Sequence, residues 1–174
     1  METVISALIV IALLILAIVG LSQVSISSQA SIAESAGLMQ ERTGDRARTN
    51  ITPLEAQITE LDGTTDAVQV TLKNSGSTKL SDLEQWDVIL QYTDETDNPT
   101  VKWYPSGNGA NEWSATIYSN ASTQTPEVIE PGIFNPGEEM AITIKVSPKV
   151  GPDSTNLAVI ATPNGIIATR VFTN

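Results

Sequence analysis

The sequence predicts an α+β protein in which a long N-terminal hydrophobic α-helix precedes an all-β immunoglobulin-like sandwich. No charged residue occurs between Glu2 and Glu34, which is typical of a helix surrounded by lipid or by other apolar helices. Beyond Pro53 the apolar residues alternate with polar ones, and this is the period of half-buried β-strands. Gly, Pro and Asn recur between the alternating runs and indicate frequent turns.

The first segment has the length of a membrane span. Residues 4–21 are apolar apart from Ser6 and Gly20, and a run of about 18–20 such residues is enough to cross a bilayer. A cleavable export signal has a positive region before a shorter apolar core, whereas this chain has Glu2 and no Lys or Arg before Arg42. We therefore expect a retained helix.

Residues 22–48 continue the helical pattern with smaller and more polar side chains, which allow helix backbones to approach closely. At about 100° per residue two packing faces are expected. One contains Val24, Ile32, Ala36 and Met39, and the other contains Ile26, Ala30, Ala33 and Gly37. A helix from residue 1 to about Arg48 would be about 70 Å long at about 1.5 Å per residue, more than twice the thickness of a bilayer core of about 30 Å.

The β domain is predicted to begin near residues 50–53, because Pro53 bars helix continuation and disfavours the helical conformation of Thr52. The domains are therefore 1–50, a helix long and apolar enough for a membrane, and 51–174, the sandwich. Strands are predicted at residues 54–61, 67–72, 86–92, 113–118, 140–146, 157–161 and 166–172, with a weaker one at 101–104. Asn164 and Gly165 indicate a two-residue hairpin loop between the last two strands.

Composition narrows the function classes. Twenty acidic residues against nine basic ones give a net charge of −11, which repels nucleic acid. The chain has no Cys and no His, so it lacks thiolate nucleophiles, imidazole bases and the usual zinc ligands. It also has no Gly-rich phosphate loop. We expect a protein that is not an enzyme and that needs no cofactor or metal.

Three patterns resemble archaellin (archaeal flagellin), within the type IV pilin-like filament superfamily. They are the apolar core LIVIALLILAIV at residues 8–19, VTLKNSGS at residues 70–77 and the ending ATPNGIIATRVFTN at residues 161–174. Bacterial type IV pilins typically carry a glutamate at the fifth mature position, where this chain has Ile5. That departure favours archaellin over bacterial pilin.

The resemblance implies a structural subunit of an extracellular archaellum-type motility filament, a helical homopolymer that is membrane-inserted before assembly. It also implies a processed N-terminus at Met1, left by a prepilin-type peptidase, together with an archaellum assembly platform and its ATPase as partners. The polymerisation core is expected to consist of apolar helix residues: Val4, Ile5, Leu8, Ile9, Ile11, Ala12, Leu13, Ile15, Leu16, Ile18 and Val19. Glycans are common in this family, and Asn120 and Asn50 occupy N-glycosylation acceptor patterns.

Two further groups in the β domain have alternative interpretations. The acidic run of Asp94, Glu95 and Asp97 has the oxygen donors that calcium prefers, but a solvated turn explains it as well. Trp86, Trp103 and Trp113 could form a binding platform, although a buried core or a contact between subunits is the simpler interpretation.

Other functions fit the same architecture. An adhesive archaeal type IV pilus subunit would share the helix and the sandwich, and only motor association or swimming separates it from an archaellin. A membrane-anchored, stator-like binding module would also have one apolar helix, but it would not need the length or the two packing faces. A membrane-tethered enzyme is a third alternative.

Overall fold

The computed structural model describes residues 2–62 and 65–174, without the side chains of residues 2, 3, 24–27 and 62. The chain divides into two compact units, Met1–Gly44 and Asp45–Asn174. Helix α1 runs over Glu2–Arg48, which confirms the long N-terminal helix predicted from the sequence. Met1, the predicted processed N-terminus, lies outside the described residues.

Within the described residues, nine strands form two antiparallel sheets. The first sheet has the order β1-β2-β7-β5-β6, with β1 Ile51–Asp62, β2 Thr65–Asn74, β7 Glu139–Val146, β5 Trp113–Asn120 and β6 Thr125–Pro126. The second has the order β4-β3-β8-β9, with β4 Pro99–Tyr104, β3 Asp87–Thr93, β8 Thr155–Ala161 and β9 Ile167–Thr173. A short 3₁₀ helix, Leu83–Gln85, leads into β3.

The strand order is that of an immunoglobulin-like sandwich. If β1, β2, β7 and β5 are strands A, B, E and D, then β3, β8 and β9 are strands C, F and G, and β4 is the additional C′ strand. Trp86, directly before β3, is 2% exposed, close to the place where immunoglobulin domains bury a tryptophan on strand C. The predicted fold class is therefore confirmed.

The core lies between the inner faces of the two sheets. Alternate residues of β2 and β7 are fully buried, as in Val68, Val70, Leu72, Ile142 and Ile144, because successive side chains of a strand point to opposite faces. The second sheet adds further large side chains, Val88, Leu90, Tyr92 and Ile160. This burial is what holds the sandwich together without a disulfide.

Strand β1 begins earlier than predicted, at Ile51, and includes Pro53, which pairs with Leu72. A proline lacks an amide hydrogen and is tolerated in a strand at the edge of a sheet. The first strand is such an edge, and its register shifts between Pro53 and Glu55.

The predicted two-residue hairpin loop is wrong in length. Strands β8 and β9 do form a hairpin, but Thr162 still pairs with Ile166 through its amide, at 2.9 Å. Gly165 has φ +82° and its amide donates to Thr162 O. Pro163 thus starts an ordinary turn that ends at a left-handed glycine, which gives a three-residue loop.

Candidate polymerisation surface

The described apolar side chains of α1 are exposed in the isolated chain. From Val4 to Leu21 the large apolar residues are between 51% exposed, at Val19, and 74% exposed, at Leu16. They occur on every side of the helix, since the run is continuous. Soluble proteins rarely expose apolar patches of more than a few hundred Å². This surface therefore requires lipid or other helices around it, and α1 is long and apolar enough to cross a membrane.

Hydroxyl groups on the same helix are bonded to the helix itself. Ser22 Oγ donates to Ile18 O at 2.8 Å, Ser35 Oγ to Ser31 O at 2.8 Å, and Thr43 Oγ1 to Met39 O at 2.7 Å. This bond to the preceding turn satisfies the hydroxyl without water or a neighbouring chain. The small polar residues beyond the apolar run are therefore compatible with close packing against another helix.

Three glycines leave open space along α1. A Cβ added at Gly20, Gly37 or Gly44 would meet no atom of the described residues within 4 Å. A glycine inside a helix costs about 1 kcal/mol relative to alanine, so its presence calls for a reason outside the helix's own fold. Close approach of a second helix is such a reason.

The structure brings together part of the predicted packing faces. Ile32, Ala36 and Met39 line one shallow groove together with Ser31 and Ser35. The side chains of Val24 and Ile26, assigned to opposite faces, lie outside the described residues. The eleven predicted core residues from Val4 to Val19 all lie on the exposed surface of α1.

The predicted tryptophan group separates into two kinds of position. Trp113 is 1% exposed and Trp86 packs against Phe134 with a ring distance of 6.4 Å. Trp103 is 54% exposed on β4, and its indole N–H donates to Asp87 Oδ1 at 2.9 Å. The three residues therefore do not form one platform.

The acidic run forms a turn closed by one carboxylate. Asp94 Oδ1 accepts hydrogen bonds from Thr96 Oγ1 at 2.7 Å, Thr96 N at 2.8 Å and Asn98 N at 3.0 Å. The hydroxyl of Thr96, followed by the amide of Asn98, lowers the pKa of Asp94. Among the described residues, no group of three or more His, Cys, Asp and Glu residues could hold a metal ion. The geometry supports the interpretation of this run as a turn.

Two groups with shifted pKa values lie in structural contacts. Lys149 Nζ, in the loop after β7, lies 2.5 Å from Glu60 Oε1 on β1, and this contact raises the pKa of Lys149. Tyr104 is buried beside Tyr92, and burial raises its pKa far above the usual value. The ion pair explains the first shift and burial in the core explains the second.

A family model decides the identity of the chain. The model described as "Archaeal-type flagellin" matches residues 2–172. The chain belongs to the archaeal-type flagellin family. This match includes α1 as well as the sandwich, and it confirms the family predicted from the three short patterns.

Solved structures share the fold at low sequence identity. The archaeal flagellum of Methanospirillum hungatei strain JF1 is 16% identical, with a TM-score of 0.61, and the match covers 97% of this chain and 90% of that one. The archaellum periplasmic stator protein FlaG from Sulfolobus acidocaldarius is 21% identical, with a TM-score of 0.52, covering 71% and 99%. The stator complex of FlaF and FlaG from the same organism is 20% identical, with a TM-score of 0.50, covering 70% and 87%. No curated protein sequence matches the chain significantly.

Coverage separates these structures. A match over 97% of the chain includes nearly all of α1 and the sandwich together. A match over 71% or 70% of the chain is long enough to include the sandwich, but it is too short to include the whole of α1 as well. The similarity to the stator proteins is thus a similarity of part of this flagellin.

Sequence reasoning missed the self-bonded hydroxyls and the chemistry of the second sheet's outer surface. The hydroxyls had a signal, because Ser22, Ser35 and Thr43 lie inside the predicted helix, where a Ser or Thr hydroxyl can donate to the carbonyl four residues earlier. The outer surface of the second sheet also had a signal in the sequence, since residues 157–161 are apolar without alternation. A strand that is apolar on both faces indicates that both faces are covered.

Proposed function

We propose that this chain is the structural subunit of an extracellular archaellum-type motility filament. Residues 1–50 polymerise through the apolar surface of α1, and residues 51–174 form the outer domain. The observation that carries the proposal is the exposure of the apolar run from Val4 to Val19 on all sides of a 47-residue helix. Membership of the archaeal-type flagellin family supports the same function.

The apolar surface also explains why such a filament would hold together. About a dozen large apolar side chains at roughly 1.5–3 kcal/mol each oppose release of a subunit into water by about 18–36 kcal/mol as an upper estimate. In the membrane the same side chains gain little from association, because lipid tails are equally apolar. Close packing at Gly20, Gly37 and the small residues after Leu21 then contributes most of the assembly energy. An ATP-driven assembly platform would supply the work of extraction from the membrane.

The length of α1 favours a filament subunit over a membrane-anchored stator-like module. Forty-seven residues span about 70 Å, whereas an anchor needs about 30 Å. The self-bonded hydroxyls of Ser35 and Thr43 lie beyond the apolar run, where a solvated linker would have no use for them. An adhesive pilus subunit would share these features, and swimming is the property that separates the two.

Of the two acceptor patterns for N-glycosylation, Asn120 is the better placed. Asn120 is exposed at the end of β5, and Ser122 Oγ donates to its Oδ1 at 2.7 Å, within the acceptor pattern itself. Asn50 is held through its carbonyl by the amides of Ser75 and Gly76, and the hydroxyl of Thr52 is bonded to Ser75 Oγ. A glycan mass on the peptide that contains Asn120, lost in Asn120→Gln, would identify the modified residue.

Electron microscopy of material sheared from the cell surface tests the proposal, combined with N-terminal sequencing of the dominant band. We expect long uniform filaments made of this chain, beginning at Met1 after removal of a leader. Deleting the gene should abolish swimming while leaving attachment to surfaces unchanged. If the protein instead stays in the membrane fraction as single copies, the filament function is wrong and the stator-like module replaces it. Lost attachment with normal swimming would indicate an adhesive pilus.

A further inference from the structure

The outer face of the second sheet is apolar although it is exposed to solvent. Register places outward-pointing residues side by side across all four strands: Val101, Gln91, Leu157 and Val171 form one row, and Trp103, Ile89, Val159 and Thr169 form the next. The edge-strand members are the most exposed, with Val101 at 72% and Val171 at 59%. We call Val101, Trp103, Ile89, Leu157, Val159 and Val171 the apolar outer face.

The outer face of the first sheet has the opposite character. The equivalent row across its strands consists of Gln57, Gln69, Thr143 and Ser114. Both faces are built on the same kind of antiparallel sheet, so strand propensity does not explain the difference. A sheet with one solvated face ordinarily presents polar residues there, and only the first sheet does so.

Charge is nearly absent from the apolar outer face. Among the outward-pointing positions of the described strands β3, β4, β8 and β9, Asp87 is the one charged residue, and it accepts a hydrogen bond from the indole of Trp103. The chain as a whole carries a net charge of −11, so copies of it repel one another over most of their surface. Contact between two copies costs least where a surface lacks charge.

A second exposed apolar feature lies in the loop between β6 and β7. Val128 is 77% exposed and Ile129 is 66% exposed. The loop is held in one conformation by Asn135, whose side-chain amide donates to Ile129 O at 2.9 Å, and by Gly132 N, which donates to Glu127 Oε2 at 3.1 Å. The two apolar side chains are thus presented to solvent by a braced loop, which we call the Val128 loop.

We propose that, in the filament, the apolar outer face of one copy binds the Val128 loop of a neighbouring copy. This inference rests on the proposed function, because it takes a second copy of the chain as the partner. Subunits of a polar filament are related by a helical operation, which brings two different patches together rather than the same patch twice. The apolar outer face and the Val128 loop are two different patches of this kind.

The size of the face agrees with a contact made inside a polymer. Four strands about 4.8 Å apart and two rows of outward side chains about 6.8 Å apart cover about 260 Å². A stable dimer buries about 800 Å² on each partner. The sandwiches would therefore not associate by themselves, and the contact becomes populated only when the helices have already brought the copies together.

Cross-linking in assembled filaments tests the pairing, and the absence of native cysteine makes the experiment clean. The full-length double variant Val101→Cys with Val128→Cys, treated with a flexible bismaleimide, should give a ladder of covalent oligomers on a denaturing gel. Each single variant should give none. The control pair Gln57→Cys with Val128→Cys, which places one thiol on the polar face, should give at least tenfold less ladder.

A charge variant provides a second readout. Val101→Lys should lower filament yield at least tenfold without changing thermal unfolding of the sandwich, because the side chain is mostly exposed. Thr116→Lys, on the outer face of the first sheet, adds the same charge and should leave the yield unchanged.

Each contrary result has its own meaning. Normal filaments from Val101→Lys together with no ladder from the double variant would overturn this inference and leave the filament function intact. Cross-linked dimers from Val101→Cys alone would show that the face pairs with itself. Failure of the unmodified chain to form filaments would overturn the proposed function and this inference together.

Discussion

The side-chain amide of Asn164 donates a hydrogen bond to Thr49 Oγ1 at 2.8 Å, across 115 positions of sequence. Thr49 Oγ1 donates in turn to Asp45 O at 2.8 Å, and the Thr49 amide bonds to the same carbonyl at 3.0 Å. The last four carbonyls of a helix lack partners within it. Thr49 therefore supplies both hydrogen bonds to Asp45 O, and Asn164, in the turn between β8 and β9, holds the Thr49 hydroxyl that makes one of them.

Asn164→Ala should lower the free energy of unfolding of the sandwich by about 1–2 kcal/mol, because Thr49 is buried and loses one of its hydrogen bonds. Urea unfolding of the full chain in detergent, followed by the fluorescence of Trp86 and Trp113, measures it. Asn108→Ala, at an exposed loop position, is the control and should change stability little. Equal stabilities of the two variants would show that the bond to Thr49 contributes nothing.

Gly76→Ala should destabilise the sandwich by about 1–3 kcal/mol through overpacking. A Cβ at this position would stand 2.5 Å from both Arg48 O and Asn50 N, which are backbone atoms that cannot rotate away. Gly44→Ala is the matched control, since its Cβ would meet nothing within 4 Å and should favour the helix by about 1 kcal/mol. Thermal unfolding of both variants should therefore shift in opposite directions, and a stabilised Gly76→Ala would refute the close approach.

The sandwich should lose stability in acid as the carboxylate of Asp94 becomes protonated. The hydroxyl of Thr96 and the amide of Asn98 hold the folded pKa of Asp94 below that of an ordinary aspartate. The stabilisation from this carboxylate is thus complete above the unfolded value and is lost as pH falls through the folded pKa. Asp94→Asn should flatten the stability profile between about pH 5 and about pH 2, measured by unfolding at each pH. Asp97→Asn removes the same charge from the same turn, but it should leave the dependence of stability on pH unchanged.

Gly37→Leu should reduce filament assembly while leaving the fold of the isolated chain unchanged. The space beside Gly37 is open in the isolated chain, whereas a neighbouring helix would occupy it in the proposed filament. Gly37 lies beyond the apolar run, so membrane insertion should be unaffected. Gly37→Ala should assemble normally, since a methyl group is tolerated where helices pack through small residues. Filament yield, measured by sedimentation, distinguishes the two variants. Full assembly of Gly37→Leu would show that α1 makes no close helix contact at Gly37.

Local patterns were enough to predict most of the fold. Pro53 and the change of period placed the end of α1 and the eight longer strands, because both signals depend on neighbouring residues alone. The loop at Pro163, Asn164 and Gly165 was predicted two residues long, since Asn-Gly usually forms such turns. Pro163 determined the actual geometry by fixing the first turn residue.

The surface of the sandwich was less predictable. Trp103 and Trp113 have the same residue type in similar strands, yet one is exposed and the other buried, because burial depends on which face register turns inward. The contrast between the two outer faces required the strand pairing of all four strands of the second sheet. The Thr49–Asn164 bond joins distant residues, and no local pattern indicates it.

In the proposed filament, α1 forms the core of a polymer of this chain. Helical reconstruction by electron cryomicroscopy of filaments sheared from cells shows directly where α1 lies. We expect a central bundle of continuous helices, with residues 4–19 fully covered by neighbouring copies and the sandwiches outside. Filaments in which α1 lies at the periphery, or a protein found only as membrane-embedded single copies, would show that α1 does not form the core.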